Sequence, residues 1–197
     1  MADLIVGADG RPRCRWCGDD PEYQRYHDEE WGVPVHDDRA LFEKLCLEGF
    51  QAGLSWITIL RKRENFRLAF HGFDPARIAA MDADDVERLM GDPGIVRNRL
   101  KIQATITNAQ AWLKLLEAEG EGAFARFVWD AVGGETQVNR PRTMADIPGA
   151  TPAATALSKR LKKAGFRFVG PTIAYAFIQS MGLVDDHLEG CWRASSA

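Results

Sequence analysis

At 197 residues with 46% hydrophobic side chains, the chain is long enough to bury a full core and short enough for one domain, expected to span residues 1–197. Its net charge of −3 excludes a general attraction to nucleic acid, so contact with a polyanion must come from a local basic face. No run approaches the roughly eighteen apolar residues that suggest a membrane span, and Met1 to Arg15 carries charges where a signal peptide needs an apolar stretch. The expectation is a cytoplasmic protein with no membrane partner.

Taken in chain order, residues 1–13 are expected to form a flexible extension, after which nearly every periodic segment reads as helix. Asp20-Pro21 supplies a cap and a first-turn proline for a helix toward Trp31. Asp37 starts a second, with its apolar stripe at Leu41, Phe42, Leu45 and Cys46. Ser55 is expected to cap a third that carries Trp56, Ile57, Leu60 and later Phe66 and Phe70. Asp74-Pro75 and Asp82 begin two shorter helices, and Arg97 to Glu119 forms a long amphipathic one with Ile102, Ile106, Ala109, Leu113 and Leu116 on one side. Phe124, Phe127 and Val128 mark another. Gly133 to Gly149 reads as loop, and helices resume from Thr151-Pro152 through Lys163 and from Gly170 to Met181. No alternating run is long enough for a strand, so the fold class is an all-α helical bundle.

Two cysteine–histidine pairs stand at opposite ends of the chain, Cys14 with His27 and His187 with Cys191. On a helix, His187 and Cys191 would share a face, and with the first pair they make a four-ligand set for a closed, structural zinc site. Four unrelated buried residues remain an alternative. Cys17 also forms a C-x-x-C with Cys14, so it could replace Cys14 or be a spare thiol, while Cys46 lies within a core stripe. Four cysteines, two of them spaced with histidines, fit a reduced compartment better than a disulfide framework.

Three basic runs, Arg61 to Arg63, Arg97 to Lys101 and Lys159 to Lys163, read singly as solvated helix faces. The last precedes a short connection with glycine at each end, Gly165-Phe166-Arg167-Phe168-Val169-Gly170. Gly165 suits a left-handed helix cap, and free amides at the start of the next helix form a phosphate site. The element resembles the helix-hairpin-helix of base-excision glycosylases related to endonuclease III. That resemblance assigns the DNA backbone contact to Gly165, Val169, Gly170 and Thr172, although Phe168 stands where the pattern has its first glycine. The lyase members carry a Schiff-base lysine at the position of Thr172, so the resemblance implies a hydrolytic enzyme without lyase activity.

The runs Cys14-Arg15-Trp16, Asp20-Pro21, Tyr23, Tyr26 to Pro34, Leu47-Glu48-Gly49 and Gln51 to Trp56 are similar to those of the DNA-3-methyladenine glycosylase I family of bacteria. Further matches at Arg63-Glu64-Asn65, Phe73-Asp74-Pro75, Gly94-Ile95, Phe166 to Gly170 and His187 to Cys191 extend the resemblance over almost the whole chain. It implies a monofunctional glycosylase that hydrolyses the N-glycosidic bond of 3-methyladenine in alkylated double-stranded DNA. The sequence leaves the oligomeric state open, but repair at a single site needs no dimer, so a monomer is expected. The resemblance also implies zinc on Cys14, His27, His187 and Cys191, a base-reading and catalytic carboxylate at Glu48, a pocket tyrosine at Tyr26 and a stacking tryptophan at Trp56, with Trp16 and Tyr23 lining the same cavity.

Those residue types suit the chemistry. A flipped base needs aromatic faces to replace lost stacking, and a purine methylated on a ring nitrogen is cationic, so an ionised carboxylate and electron-rich rings attract it. Guanine would oppose Glu48 with a carbonyl, acceptor against acceptor. In the wider superfamily a catalytic aspartate lies in a Val-Asp-x-His run, matched here by Val184 to His187. Asp185 is instead expected to cap the turn or orient His187. Two other classes of function fit parts of the pattern: a zinc-stapled DNA-binding module without activity, and a zinc hydrolase with an open metal position.

Overall fold

Helix starts follow the capping chemistry written into the chain. In the computed structural model, which describes residues 3–194, the Asp20 carboxylate accepts the Tyr23 amide at 3.0 Å and Pro21 opens α1 (Pro21–Glu29). Asp37 does the same for α2 (Asp38–Gln51) through the Ala40 amide at 2.7 Å. The helix expected to continue from Ser55 is divided into α3 (Trp56–Leu60) and α4 (Arg63–Ala69). The Ser55 hydroxyl bonds Thr58 Oγ1 at 2.8 Å and caps no amide. At the corner Arg61 reaches Asp20 at 2.5 Å and Arg63 pairs with Glu30, so long-range ion pairs tie both sides of the break to α1.

Asp74 caps α5 (Pro75–Ala79), Asp82 and Asp85 form a reciprocal capping box on α6 (Ala83–Met90), and Asn98 caps α7 (Arg99–Glu119). α8 (Ala123–Trp129), α9 (Pro152–Lys163) and α10 (Pro171–Ser180) complete the ten α-helices among the described residues. None of them is long and apolar enough to cross a membrane.

Residues 3–13 correct the expectation of a flexible extension; residues 1 and 2 lie outside the described part. β1 (Leu4–Val6) and β2 (Pro12–Cys14) pair antiparallel, with Leu4 opposite Cys14. Arg13, 4% exposed, locks this hairpin to α1 by holding Asp9 and Asp28 at 2.6 Å each. Within the segment expected as loop, β3 (Gln137–Val138) runs parallel to β4 (Val184–Asp185). Strands of two or three residues show no period-two pattern, and their partners lie far along the chain, which is why the sequence reads as purely helical there.

α2 runs through the middle of the bundle, with Leu41, Phe42 and every residue from Lys44 through Phe50 buried. Phe50 meets Phe66 with ring centroids 4.6 Å apart, and Phe70 continues the cluster at 5.8 Å from Phe50. Truncating such a fully buried ring costs about 3–5 kcal/mol, so the position of α2 is firmly fixed. Lys44 and Glu48 are the two charged side chains carried inside on this largely apolar stretch.

Candidate active site and metal cluster

The buried face of α2 meets α1 and α3 at a cavity of about 240 Å³. Glu48, Tyr26, Trp56, Trp16 and Tyr23, the five residues singled out from the sequence, all line it. They arrive from four places: Tyr23 and Tyr26 one turn apart on α1, Glu48 on α2, Trp56 at the first position of α3, and Trp16 in the 3₁₀ turn Arg15–Cys17. Tyr26 and Trp56 have ring centroids 5.4 Å apart, and Trp16 meets Tyr23 at 5.1 Å. The arrangement makes an aromatic recess with one carboxylate in its wall.

Glu48 is 4% exposed and sits close to Tyr26 and Trp56 through a shared neighbour. That neighbour is Lys44, whose Nζ lies 3.1 Å from Glu48 Oε1, donates to Tyr26 Oη at 2.7 Å and stands 3.2 Å from the centroid of the Trp56 ring. Burial raises the pKa of Glu48, while the charge and hydrogen bond of Lys44 and a hydrogen bond from Ser180 oppose that rise. Burial, and then the Glu48 charge, push the Tyr26 phenol well above its usual range, so it stays protonated. Because an ammonium can only donate, Tyr26 accepts from Lys44 and keeps its own proton for another partner.

Sequence reasoning missed Lys44 altogether, although its spacing of four from Glu48 on a helix was a visible signal. It also missed Trp31, Gln51, Gln179 and Ser180 as lining residues. Gln179 and Ser180 come from the end of α10, beyond any local pattern that could link them to α1.

Beside this recess, Cys14 Sγ, His27 Nε2 and Cys191 Sγ lie within 4.8 Å of one another, all buried. Cys17 is not in that group. The two thiols differ in character: hydrogen bonding to Cys191, with burial, raises Cys14, while the same hydrogen bond, opposed by burial and joined by His27, lowers Cys191. His187 lies outside the three-residue group, with its ring centroid 5.2 Å from that of His27. Its Nε2 is buried without a hydrogen-bond partner among the described residues. Each histidine offers Nδ1 to a carboxylate, His27 to Asp28 at 2.8 Å and His187 to Asp185 at 2.7 Å. Such pairs favour the tautomer whose Nε2 lone pair is bare, which is the form that binds a metal. The donor set therefore suits a metal ion, and the orphaned Nε2 is where a fourth ligand would come from.

Asp185 is occupied by this arrangement. Its Oδ1 accepts both the amide and Nδ1 of His187, Arg140 lies 3.9 Å from its other oxygen, and it is absent from the lining of the aromatic recess. The cluster and the recess share a wall, since Trp16 meets the His27 ring at 5.2 Å and Trp31 meets His187 at 4.6 Å. Gly32 allows the second approach: at φ +78° it has no Cβ, and one placed there would come 2.8 Å from the His187 ring.

The α9–α10 connection has the form expected of a hairpin. Gly165 adopts φ +98° after α9, and the amides of Gly165 and Phe166 close on Lys162 and Leu161 carbonyls at 3.1 and 3.0 Å. Ser158 Oγ donates to the Val169 carbonyl at 2.6 Å, and Asn108 of α7 pins both the amide and carbonyl of Arg167. Gly170 has open space where a Cβ would stand, and Thr172 is exposed in the first turn of α10, whose first internal bond runs from Ala174 to the Gly170 carbonyl. Val169, by contrast, is buried at 1% exposure, so only its backbone can serve a ligand. Phe168, in place of the usual glycine, takes the left-handed φ of +52°. The hairpin packs against α2 one residue from Glu48: a Cβ added to Gly49 would lie 3.4 Å from that of Phe168.

Residues 16–194 match the profile of a family described as Methyladenine glycosylase. DNA-3-methyladenine glycosylase 1 of Escherichia coli (strain K12) is 57% identical over 179 residues, covering 91% of this chain and 95% of that protein. A crystal structure of a 3-methyladenine DNA glycosylase I superposes with a TM-score of 0.90 at 57% identity, covering 93% of this chain and all of the other. A Staphylococcus aureus 3-methyladenine DNA glycosylase I, studied for the structural basis of 3-methyladenine recognition, superposes at 0.87 with 40% identity, over 93% of this chain and 98% of its own.

Proposed function

The chain belongs to the methyladenine glycosylase family, and on that premise we propose that it excises 3-methyladenine from alkylated duplex DNA by hydrolysis, leaving an intact abasic site. The observation that carries the reading is the convergence of a buried carboxylate, a protonated phenol and tryptophan rings on one base-sized recess beside a helix hairpin. The hairpin grips the backbone without reading sequence, through the amides at the start of α10, Gly165 and the Val169–Gly170 backbone, with Thr172 and the basic end of α9 alongside.

The extracted base stacks on Trp56, with Trp16 and Tyr23 closing the recess, and this offsets the stacking lost from the duplex. Glu48 accepts from the exocyclic amino group of the adenine, and the Tyr26 hydroxyl donates to a ring nitrogen. Guanine puts a carbonyl against Glu48 and leaves a buried acceptor unpaired, at about 1–3 kcal/mol. Departure of a methylated base cancels its positive charge, so it is a good leaving group. The remaining work is to stabilise the sugar cation and admit water, and Glu48 supplies the negative charge for both. Water adds to the sugar carbon, the base leaves with the bonding pair, and a proton is released. No lysine stands at Thr172 to divert the sugar into a Schiff base.

Cys14, His27, His187 and Cys191 would hold zinc. With all four positions filled by protein the ion is structural, joining the two ends of the chain and bracing the Trp16 and Trp31 wall of the recess. Asp185 orients His187 and takes no part in excision. The protein works as a monomer in the cytoplasm, where its cysteines, free in the structure, stay reduced.

The test is to incubate the protein with methylated DNA and identify the products. Free 3-methyladenine with an uncleaved abasic strand is expected. Duplex binding without base release would leave only a DNA-binding module, and loss of turnover on metal removal ahead of any unfolding would point to a zinc hydrolase.

A further inference from the structure

Lys44 contacts three groups to which base recognition falls, Glu48, Tyr26 and Trp56, yet it does not line their recess. It faces a second cavity of about 240 Å³, on whose lining Tyr26, Trp56 and Ser180 also appear. The ammonium thus stands behind a shared wall.

The charges around Lys44 leave it one ion-pair partner. Its own helix supplies Glu48; the end of α1 brings Glu30 and α4 brings Arg63, which pair with each other. Glu43 and Arg67, also on the second cavity, pair at 2.8 Å. α3 contributes Trp56 and α10 contributes Ser180, neither of which titrates here. Glu29, on the same cavity, faces Arg25 at 3.8 Å, and the Tyr26 phenol stays protonated. The other three acids thus each have an arginine, and Glu48 is balanced by Lys44 at 3.1 Å. Burial draws the ammonium pKa down to about 8 against the upward pull of Glu48, so its proton is held loosely for a lysine.

A base methylated on a ring nitrogen brings its own positive charge to Glu48 and Trp56, the same two groups that hold the ammonium. We propose that Lys44 is a specificity-determining residue: its ammonium balances Glu48 while the recess is empty, and a cationic base takes over that carboxylate by expelling the Lys44 proton. This rests on the reading of Glu48 as the base-facing carboxylate. The Nζ–H bond breaks, the proton passes to solvent, and the neutral amine remains, still able to donate to Tyr26 and Glu48. A neutral adenine brings no charge and leaves the lysine–glutamate pair as it was. Affinity for cationic bases alone then rises as the lysine is deprotonated, by about tenfold per pH unit below its midpoint when one proton is released.

The full-length protein labelled with ¹³C at the lysine ε-carbon tests this, the Lys44 signal being assigned by its loss in Lys44→Met. Its titration is followed alone, with 3,9-dimethyladeninium, which carries a fixed positive charge, and with neutral 9-methyladenine. The expected midpoint is near 8 in the free protein, lower by at least one unit with the cation, and unmoved by the neutral base. A midpoint that stays in place while the cation quenches Trp56 fluorescence overturns the inference and leaves the recess intact as the base site. A cation that fails to bind, or binds equally well to Glu48→Gln without affecting Trp56, overturns the reading beneath it.

Discussion

Replacing Glu48 with glutamine removes one negative charge from the wall of the recess while keeping its shape and one acceptor oxygen. A hydrogen bond to a charged group contributes about 1.5–3 kcal/mol, and about 1.36 kcal/mol corresponds to tenfold in rate. The expected loss in kcat/KM for 3-methyladenine is therefore roughly 10- to 150-fold. The fold should survive, because Lys44 retains Tyr26 Oη at 2.7 Å and, with a pKa already lowered to about 8 chiefly by burial, can shed its proton once its counter-charge is gone. Single-turnover release of free base from methylated DNA gives the rate, and thermal unfolding shows whether the variant is intact. The decisive comparison is Asp185→Asn, which breaks a contact to His187 and none in the recess. An Asp185→Asn enzyme that is nearly dead beside a Glu48→Gln enzyme within twofold of the parent would transfer the catalytic charge to Asp185 and refute the assignment.

Trp56→Ala should reduce excision by the value of one stacked base, about 1–3 kcal/mol, visible as a higher KM in steady-state assays; an unchanged KM would remove it from the base site. Lys162→Ala, at the exposed basic end of α9, should weaken DNA binding equally for all sequences and lower the salt-dependence slope by about 1, measured by fluorescence anisotropy across a salt series. Cys191→Ser should lose bound metal and lower Tm, with excision persisting below the new Tm; activity lost while Tm stays fixed would make the ion catalytic. Lys44 also gives a stability signature: with a folded pKa near 8 against roughly 10.4 unfolded, the unfolded chain binds more protons between those values. Stability should then rise with pH across that window, by up to about 1.36 kcal/mol per unit. Denaturant titrations should show this rise in the parent and not in Lys44→Met.

The helix starts that carry a capping side chain were legible because each is set by residues two or three positions apart. Asp20, Asp37, Asp74, Asp82 and Thr151 all accept amides of the first turn they precede. What was not legible depends on distant partners. The break after α3 is fixed by Asp20 and Glu30 far upstream, and β3 finds β4 only because the chain returns after α10. The N-terminal hairpin is held by Arg13 on Asp28, an ion pair whose burial no local pattern announces. The four metal-site candidates were visible as residue types at both chain ends, but only the fold shows three of them clustered, with His187 Nε2 left bare beside them.

The recess presents the same division in sharper form. Lysine four residues before glutamate on a helix ordinarily reads as a solvated surface pair worth about 0.3–0.5 kcal/mol. In α2 that reading meets a contradiction already present in the chain: Leu41, Phe42, Leu45, Leu47 and Phe50 are apolar at positions that leave little polar face. A helix apolar on most sides is buried, and it carries any charged pair inside with it. Desolvating both charges then costs more than a surface pair could return, so the pair needs Tyr26, Trp56 and Ser180 around it to persist. A buried ammonium and carboxylate held this way form a site that a cationic ligand can disturb, because it offers Glu48 an alternative partner. The same burial that hid Lys44 from a reading of local sequence gives it leverage over the charge of the recess.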